Sequence, residues 1–303
     1  MAKEFDILVA GGGIAGLTAG LTAARLGRSV QVLTGDVLGG NLLSIEKIEG
    51  FPGFADGVAG YELCPITQGQ AAEAGAGFAM TEVIELQADG ARWNVTDPVE
   101  TYSAGAVIIA TGASIKELGV PGEEALRGHG VSHCASCDAP LLKDKVVAVV
   151  GGGDSAAQEA LTLAGAASSV TIYCREDALI AKAVYQARIE AHAGIDVRYG
   201  TTIDKILGDD VVTGISAGGA DMECDGVFIY IGLAPNTGFL NGLLDLGADG
   251  RVPVDEDLRS QVPGLFAAGC VRTGSAGQAA SSAGDGAAAA IAADAYLEGG
   301  TWR

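Results

Sequence analysis

The sequence predicts an α/β fold built from two similar three-layer domains, with the second domain inserted into the first. Three observations predict this fold. An apolar run, a glycine-rich turn and a small-residue helical stretch follow one another near the amino terminus. The same succession begins again at residue 145, and further apolar runs typical of buried strands lie on both sides of it. The first domain therefore needs segments from both ends of the chain.

The first βαβ unit spans residues 5–34. Residues 5–10 (FDILVA) form a β-rich apolar run, the turn GGGIAG follows at once, and a helical stretch covers residues 17–26. Residues 28–34 (RSVQVLT) supply the second strand, so the unit has about 30 residues, the usual length. Residues 7–24 are uncharged, but their five glycines and the change from a strand to a helix pattern argue against a membrane span.

The glycines of this turn match the dinucleotide-binding fingerprint G-x-G-x-x-G. Gly11 permits the tight turn, Gly13 lets the backbone approach a pyrophosphate, and Gly16 lets the helix pack on the strand. The pyrophosphate is expected to face the amino end of the helix. The strand before the turn and the helix after it make this match specific.

A second unit with the same order begins at residue 145. Residues 145–150 (KVVAVV) are followed by GGGDSA, a small-residue helix and residues 169–173 (SVTIY). Gly151, Gly153 and Ala156 occupy the three fingerprint positions. Two such units predict two bound nucleotides.

Three further apolar runs and a long alanine-rich stretch complete the organisation. The runs are residues 106–114, 225–236 and 264–271, and the predicted helix covers residues 278–297. We expect residues 1–113 and 241–303 to form one discontinuous domain, and residues 114–240 to form the inserted domain. The fold class is α/β, with two Rossmann-like (three-layer ββα) dinucleotide-binding domains, the second inserted into the first.

The composition excludes several classes of protein. The chain has 303 residues, of which 49% are hydrophobic and only 8 are proline, so it can form a core and is neither disordered nor collagen-like. A formal charge of −20 lacks the clustered cations that nucleic acid or an anionic membrane requires, so we expect neither partner. Six sparse cysteines and a start unlike a signal peptide predict a cytoplasmic location.

One short segment predicts redox chemistry. Cys134 and Cys137 are separated by two residues and followed by Asp138 (CASCD). This spacing allows a small disulfide, a helix amino end lowers the pKa of a thiol, and a neighbouring carboxyl group can deliver a proton to a leaving thiolate. Because His129 and His133 precede the pair, a zinc site is the alternative. A second cysteine pair that would complete a structural zinc site is missing from the sequence, so we predict no metal.

The two fingerprints with CASCD between them resemble the low-molecular-weight thioredoxin reductase-like family of FAD-dependent pyridine nucleotide-disulfide oxidoreductases. The resemblance covers nearly the whole chain. Its motifs, in order, are GGGIAG, TGDVLGGN, GFPG, ATGAS, CASCD, GGGDSA, IGLAPNT, and VPGLFAAG followed by Gln278 and Ala279. It implies a homodimer in which residues 1–113 and 241–303 bind FAD and residues 114–240 form an NAD(P)-binding-like domain with the redox cysteines.

The resemblance also implies a set of FAD-binding residues. These are Gly11, Gly13, Ile14, Ala15, Gly16, Thr34, Gly40, Asn41, Thr111, Gly112, Gly269, Cys270, Gln278 and Ala279. The first turn would follow the FAD phosphates, and the segment from Thr34 to Asn41 would surround the adenosine and ribityl parts. Gln278 and Ala279 would present backbone amides to the pyrimidine edge of the flavin, where a helix amino end stabilises negative charge.

The same resemblance assigns roles around the redox pair. Cys137 is expected to accept electrons from the flavin, Cys134 to attack the substrate disulfide, and Asp138 to act as acid and base. His133 could assist deprotonation of a thiol. The expected partner is thioredoxin, a similar protein, or a small disulfide or dithiol.

The second nucleotide site departs from the family pattern. Its candidate residues are Gly151, Gly153, Asp154, Ser155, Ala156, Arg175 and Glu176. Members that use NADPH have the pattern His-Arg-Arg-x-x-x-Arg here, whereas this chain has CREDALI, which keeps only Arg175. Glu176 would repel a 2′-phosphate, and Ile180 cannot pair with one. We therefore predict that NADPH is a poor donor.

Several alternatives stay open. Glu176 could accept a hydrogen bond from a ribose 2′-hydroxyl, giving an NADH enzyme. The site could instead be vestigial, with electrons arriving from ferredoxin or another flavin, or the enzyme could oxidise dithiols with oxygen. A non-catalytic redox-sensing flavoprotein is a further hypothesis. In the FAD domain, Cys270 replaces a family aspartate, Gly277 an arginine and Gly50 an asparagine, so FAD binding could differ.

Overall fold

The chain folds into two compact units, each with its own central sheet. The structure is a computed structural model that describes residues 2–302, without the side chain of Ser136. Unit 1 consists of Met1–Ser114 and Pro235–Arg303, and unit 2 consists of Ile115–Ala234. The predicted fold class, two Rossmann-like units in a mixed α/β chain, is confirmed.

Strands and helices are numbered along the chain. The strands are β1 Lys3–Ala10, β2 Val30–Leu33, β3 Gly77–Ala79, β4 Glu85–Asp89, β5 Arg92–Thr96, β6 Thr101–Ile109, β7 Ala113–Ile115, β8 Val131–Ser132, β9 Val146–Val150, β10 Ser169–Tyr173, β11 Ile195–Arg198, β12 Ile203–Leu207, β13 Gly214–Ala217, β14 Ala220–Glu223, β15 Gly226–Ile229, β16 Leu233–Pro235 and β17 Leu265–Ala267. The α-helices are α1 Ile14–Arg25, α2 Gly60–Glu73, α3 Ala135–Asp138, α4 Asp154–Ala164, α5 Ala183–Glu190 and α6 Ala279–Leu297.

Unit 1 has a sheet with five parallel strands in the order β3-β2-β1-β6-β17. The antiparallel pair β4 and β5 joins the same sheet along the first half of β6, while β17 pairs with its second half. In register, Ile7 lies between Val30 of β2 and Ala106 of β6. The carboxyl half of β1 is fully buried, as expected for a central parallel strand.

Unit 2 repeats the parallel arrangement in the order β11-β10-β9-β15-β8. A separate antiparallel sheet contains β12, β13 and β14. The short strand β8 directly precedes the redox segment, which is residues 133–138. The two residues of β8 pair with Val227 and Phe228 of β15. The topology therefore fixes the start of that segment against the central sheet of unit 2.

Small residues allow the helices of unit 1 to pack closely. A Cβ atom on Gly20 would lie 2.7 Å from a methyl group of Val32, and one on Gly286 of α6 would overlap the carbonyl oxygen of Ala15 in α1. These contacts explain why α1 and α6 are rich in glycine and alanine. The helix expected from residue 17 begins at Ile14, directly after the glycine turn. Among residues 2–302, none of the helices has the length and apolar character of a membrane span.

Candidate active site

A cavity of about 550 Å³ lies in unit 1 where the parallel strands end. The chain leaves β1, β2, β6 and β17 at this edge, the place where dinucleotides bind in such sheets. The cavity is lined by thirteen of the fourteen residues predicted for FAD, namely Gly11, Gly13, Ile14, Ala15, Thr34, Gly40, Asn41, Thr111, Gly112, Gly269, Cys270, Gln278 and Ala279. The fourteenth, Gly16, packs behind the turn.

The glycine turn of unit 1 has the geometry of an anion-binding site. Gly11 has φ +118°, and a Cβ there would overlap the carbonyl oxygen of Ala110. At Gly13 no atom lies within 4 Å of the Cβ position, so the backbone faces open space, whereas a Cβ on Gly16 would overlap the carbonyl oxygen of Gly11. The first turn of α1 contains no acidic residue and no side-chain cap. Its amide groups are therefore available to a phosphate, and the cavity fits FAD.

Side chains fix the loops around the cavity. The Asn41 side-chain amide donates to the carbonyl of Ala113 at 2.7 Å. Thr111 donates through its hydroxyl to the carbonyl of Asn236 at 2.8 Å, and the Asn236 amide donates back to the carbonyl of Thr111 at 3.0 Å. Gln278 occupies the amino-terminal cap position of α6 without a side-chain cap bond, and the first turn of this helix also lacks an acidic residue. A second helix amino end thus borders the cavity.

A partly buried ion pair stabilises the wall next to Cys270. Asp285 of α6 accepts two hydrogen bonds of 2.7 Å from the Arg272 guanidinium and one of 3.0 Å from the backbone amide of Gly269. The exposed fractions of the Arg272 and Asp285 side chains are 18% and 11%. The pair raises the pKa of Arg272. Cys270, which is partly buried, therefore lies beside a neutralised carboxylate.

Sequence reasoning missed several residues that line this cavity. They include Glu82, Val83, Phe239 and Ser282. Glu82 and Val83 follow β3, which pairs in parallel with β2, so their place at the same edge could have been found from a third strand. Ser282 lies one helical turn after Gln278, and the helix period could have indicated it.

The redox segment lies in unit 2. Cys134 and Cys137 form a disulfide, with Cys134 as the amino-terminal cap of α3. The amide of Cys137 donates to the Cys134 sulfur at 3.3 Å, and the amide of Cys134 donates to the Ser132 hydroxyl at 3.1 Å. Cys137 is exposed, whereas Asp138 and His133 are partly buried. The predicted catalytic residues are thus placed together in one short segment.

The end of β15 contacts this segment on both sides of Cys134. The His133 ring nitrogen Nδ1 lies 3.0 Å from the carbonyl oxygen of Ile229. The amide of Ala135 donates to the hydroxyl of Tyr230 at 3.1 Å. Sequence reasoning did not find Tyr230, which lies 95 residues from Ala135.

The second glycine turn keeps the local fingerprint geometry. Gly151 has φ +136°, nothing lies within 4 Å of the Cβ position of Gly153, and Ala156 is fully buried. At the end of β10, the Glu176 carboxylate accepts from the Arg175 guanidinium at 2.7 Å. That hydrogen bond lowers the pKa of Glu176. The carboxylate therefore stays ionised beside the turn.

Two contacts hold Glu176 and the following segment near this turn. The Cys174 thiol lies 3.6 Å from the second carboxylate oxygen of Glu176, and that oxygen lies 3.9 Å from the Cβ position of Gly152. The amides of Ile180 and Ala181 both donate to the carbonyl of Gly152. The Ile180 side chain is 73% exposed.

Asp154 and Ser155 are the first residues of α4, directly after the turn. The Asp154 carboxylate accepts from the backbone amide of Lys182 at 2.7 Å and forms an ion pair with the Lys182 ammonium at 2.9 Å. Burial alone would raise the pKa of Asp154, but these bonds from Lys182 lower it. This helix amino end therefore differs from that of α1, because it already has a carboxylate.

The remaining cysteines differ from the redox pair. Cys64, Cys174 and Cys224 are buried, and burial raises the pKa of Cys64 to about 11 and that of Cys224 to about 12. His129 and His133 precede a disulfide rather than a pair of thiols. In the part of the chain that the structure describes, no group of three or more His, Cys, Asp or Glu residues is arranged to bind a metal.

Comparison with known proteins agrees with this architecture. The family described as Pyridine nucleotide-disulphide oxidoreductase matches residues 5–286. The chain is 35% identical to a thioredoxin reductase of Treponema pallidum, over 98% of this chain and 99% of that protein. It is 38% identical to a thioredoxin reductase of Listeria monocytogenes, over 98% of this chain and 95% of that protein. The structure of Lactococcus lactis thioredoxin reductase (FR conformation) superposes with a TM-score of 0.94 at 31% identity, over 97% of this chain and 99% of that chain.

Two dinucleotide-binding folds with a redox disulfide between their fingerprints define a flavin-dependent oxidoreductase that acts on disulfides. The chain belongs to the pyridine nucleotide-disulphide oxidoreductase family, as a thioredoxin reductase-like FAD enzyme. The recognition made from the sequence is thus confirmed. The roles of individual site residues stay predictions.

Proposed function

We propose that the chain reduces the disulfide of a thioredoxin-like protein through Cys134 and Cys137. The observation that supports this most is the Cys134–Cys137 disulfide itself. It lies at the amino end of α3, and Cys137 is exposed. When bound in the unit 1 cavity, FAD supplies a two-electron relay between the donor and this pair. The cytoplasmic location and the homodimer predicted from the sequence belong to the same proposal.

The exchange is assigned to named atoms. In the reduced pair, the Cys134 thiolate attacks one sulfur of the substrate disulfide, forming a mixed disulfide and releasing the other sulfur as a thiolate. Cys137 then attacks Cys134, which restores the Cys134–Cys137 bond and releases the second substrate thiolate. Cys134 is the proposed nucleophile because it caps α3 and accepts the amide of Cys137, a bond that favours a thiolate. Asp138 supplies protons to the leaving thiolates, and His133 assists deprotonation.

A trapping experiment tests this assignment. Cys137→Ser should form a stable mixed disulfide with a single-cysteine thioredoxin whose thiol is activated as a disulfide with thionitrobenzoate, because the Cys134 thiolate displaces the thionitrobenzoate anion, whereas Cys134→Ser should not. Adding Cys224→Ser, which removes a cysteine outside the cavity and the redox segment, is the matched control and should leave trapping by Cys137→Ser unchanged. Trapping by Cys134→Ser instead would reverse the two roles. If neither variant forms a mixed disulfide with the single-cysteine thioredoxin, the proposed partner is wrong.

The donor that the geometry favours is NADH. Glu176 lies at the end of the second strand of its βαβ unit, with its carboxylate beside the glycine turn, where an acidic residue accepts the ribose 2′-hydroxyl of NAD. The same carboxylate repels a 2′-phosphate, and Arg175 is already paired with it. NADPH is therefore the poorer donor, as predicted from the sequence.

Anaerobic mixing of the FAD-loaded protein with each nucleotide, followed by flavin absorbance, tests the donor. NADH should bleach the flavin faster than NADPH by at least about tenfold, which corresponds to roughly 1.4 kcal/mol. Glu176→Gln should reduce this preference, while Glu190→Gln, an exposed carboxylate on α5, should not change it. Faster bleaching by NADPH would contradict the proposal.

A separate electron donor is the second candidate, supported by the loss of arginines from CREDALI, in which Arg175 is the one that remains and is paired with Glu176. The Asp154 carboxylate at the start of α4 is itself paired with Lys182. In that case neither nucleotide bleaches the flavin, and reduced ferredoxin or another flavin does.

Bleaching by a dithiol with consumption of oxygen would instead indicate a dithiol oxidase. A photoreduced flavin that transfers nothing to a disulfide would indicate a sensor.

A further inference from the structure

The start of helix α3 depends on one distant hydroxyl group. Ala135 is fully buried, and its amide is the first of the helix. A buried amide without an acceptor is costly, and here the acceptor is the Tyr230 hydroxyl at 3.1 Å. Tyr230 directly follows β15, so the helix start is fixed to the central sheet of unit 2.

The same hydrogen bond affects the geometry of the redox pair. Helix α3 has only four residues, so its first amide groups determine where the whole helix lies. The third of these amides, from Cys137, donates to the Cys134 sulfur at 3.3 Å. A displacement of Ala135 would therefore change the distance between the amide of Cys137 and the sulfur that becomes the nucleophile.

The surroundings keep the Tyr230 hydroxyl neutral. Burial raises its pKa most and the Glu159 carboxylate raises it further, whereas the amide of Ala135 lowers it by less than either, and Asp138 adds only the smallest rise. The hydroxyl thus stays protonated and can accept from Ala135 while it retains its own hydrogen for a neighbouring acceptor.

We propose that Tyr230 is a positioning residue of the redox centre, whose hydroxyl holds the start of α3 so that the amide of Cys137 stabilises the thiolate of reduced Cys134. This inference rests on the proposed role of Cys134 and Cys137 as an exchanging pair. Reduction of the pair takes up two electrons from a dithiol or from two molecules of glutathione; one proton stays on Cys137, and the other is released to solvent because Cys134 is a thiolate. Loss of the hydroxyl destabilises the thiolate, so the disulfide becomes harder to reduce.

The test compares Tyr230→Phe with Tyr173→Phe. Tyr173 is a matched control in unit 2, where its hydroxyl contacts the Met222 sulfur rather than the redox segment. FAD-loaded proteins are equilibrated in glutathione buffers, quenched by alkylation, and the reduced Cys134–Cys137 peptide is quantified by mass spectrometry. Tyr230→Phe should lower the equilibrium constant for reduction about tenfold, which corresponds to about 30 mV. Tyr173→Phe should match the wild type.

A second readout separates positioning from a general loss of structure. The rate of Cys134 alkylation in the reduced protein is measured against pH, where His133, Asp138, Glu159 and Tyr230 are the titratable groups around the pair. Tyr230→Phe should move the midpoint of this profile to higher pH. An unchanged midpoint and an unchanged equilibrium constant would overturn the inference.

Two other outcomes, a wild-type pair that cannot be reduced and a Tyr230→Phe variant that does not fold, do not count as a test of the Tyr230 hydroxyl. If the wild-type pair itself is not reduced in any glutathione or dithiothreitol buffer, the proposed function fails before Tyr230 is tested. If Tyr230→Phe does not fold by circular dichroism, fluorotyrosine at position 230 replaces it, because it keeps the hydroxyl but weakens it as an acceptor. The same downward change in equilibrium constant is then expected, and its absence overturns the inference.

Discussion

Burial distinguishes the cysteines at the scale of single residues. Cys64 and Cys224 are buried, and their raised pKa values leave almost no thiolate at neutral pH. After reduction, iodoacetamide at pH 8 should therefore modify Cys134 and Cys137 at least about a hundredfold faster than Cys64 or Cys224. Peptide mass spectrometry over time checks this order. In urea all of these cysteines should react, and modification of Cys64 in the folded protein at the rate of Cys137 would contradict the prediction.

Asp97 is a buried carboxylate that links stability to pH. Its exposed fraction is 4%, and it accepts hydrogen bonds of 2.7 Å from the amides of Val99 and Glu100 and one of 3.2 Å from the Tyr102 hydroxyl. Burial alone would raise its pKa, but these bonds outweigh that effect and lower it. Because this pKa is lower in the folded state than in the unfolded state, the ionised carboxylate stabilises the fold at any pH above its unfolded-state pKa. This stabilisation is lost as the pH falls from the unfolded-state pKa through the folded-state pKa.

Asp97→Asn should therefore lower the free energy of unfolding by about 1–3 kcal/mol at pH 7. The difference from wild type should shrink as the pH falls below about 4, because the wild-type carboxyl then becomes protonated as well. Urea denaturation at a series of pH values measures it. Asp210→Asn, an exposed carboxylate, should stay within about 0.5 kcal/mol of wild type throughout. A difference that grows in acid would refute the sign of this argument.

Site residues that belong to short sequence motifs could be predicted. Site residues whose partners are distant along the chain could not. The fingerprint glycines, the cysteine pair and Glu176 all follow from spacing along the chain. Tyr230 contacts Ala135 across 95 residues, and Asp285 of α6 bonds to Arg272 and Gly269, which lie before that helix, 13 and 16 residues from Asp285 along the chain. Such partners depend on which strand ends and helix faces meet, and a single sequence does not specify that pairing.

Two glycines of the unit 1 turn affect different properties, Gly16 the packing of α1 on β1 and Gly13 the binding of FAD. A Cβ on Gly16 would overlap the carbonyl oxygen of Gly11, so Gly16→Ala should force α1 away from β1 and cost about 1–3 kcal/mol of stability. At Gly13 the Cβ position faces open space. Gly13→Ala should leave the unfolding of the FAD-free protein unchanged, yet weaken FAD binding by about tenfold or more, because the methyl group occupies the approach of the phosphates.

Flavin fluorescence titration and urea denaturation measure these two effects separately. Gly153→Ala is the matched variant in unit 2, since its Cβ position is also open. It should leave FAD affinity unchanged and slow flavin bleaching by NADH if that nucleotide binds there. Equal loss of FAD from Gly13→Ala and Gly153→Ala would contradict the assignment of the unit 1 cavity to FAD.

The long periodic elements were predictable, and the short ones were not. Strand β10 and the end of α6 lie where the pattern placed them, and α1 begins three residues earlier than expected, because the pattern of apolar residues is weak in a helix made of glycine and alanine. The three-residue β3 has no recognisable pattern, so Glu82 and Val83 were missed with it. Short edge strands are specified by their neighbours more than by their own residues.

The whole molecule contains separate hydrophobic cores in its two units. Phe266 belongs to a cluster formed by unit 1 alone, and Phe228 to one formed by unit 2 alone, and both side chains are at most 1% exposed. Phe228→Ala should cost unit 2 about 3–5 kcal/mol. Hydrogen exchange should then accelerate in peptides from Ile115–Ala234, with little change in unit 1. Adding FAD should slow exchange in unit 1, and equal effects on both units would contradict this division.

The insertion of unit 2 has a consequence for synthesis on the ribosome. Strand β17 pairs with β6, and α6 packs on α1, yet both are made after unit 2 is complete. Unit 2 of a nascent chain can therefore fold first. Until β17 is made, the second half of β6 lacks its partner strand, so this edge of the unit 1 sheet stays uncovered. Gly269, Gln278 and Ala279 emerge after the cavity residues that follow β1, β2 and β6. Nascent chains stalled before residue 265 should thus lack a complete flavin cavity, although their redox disulfide segment is already translated.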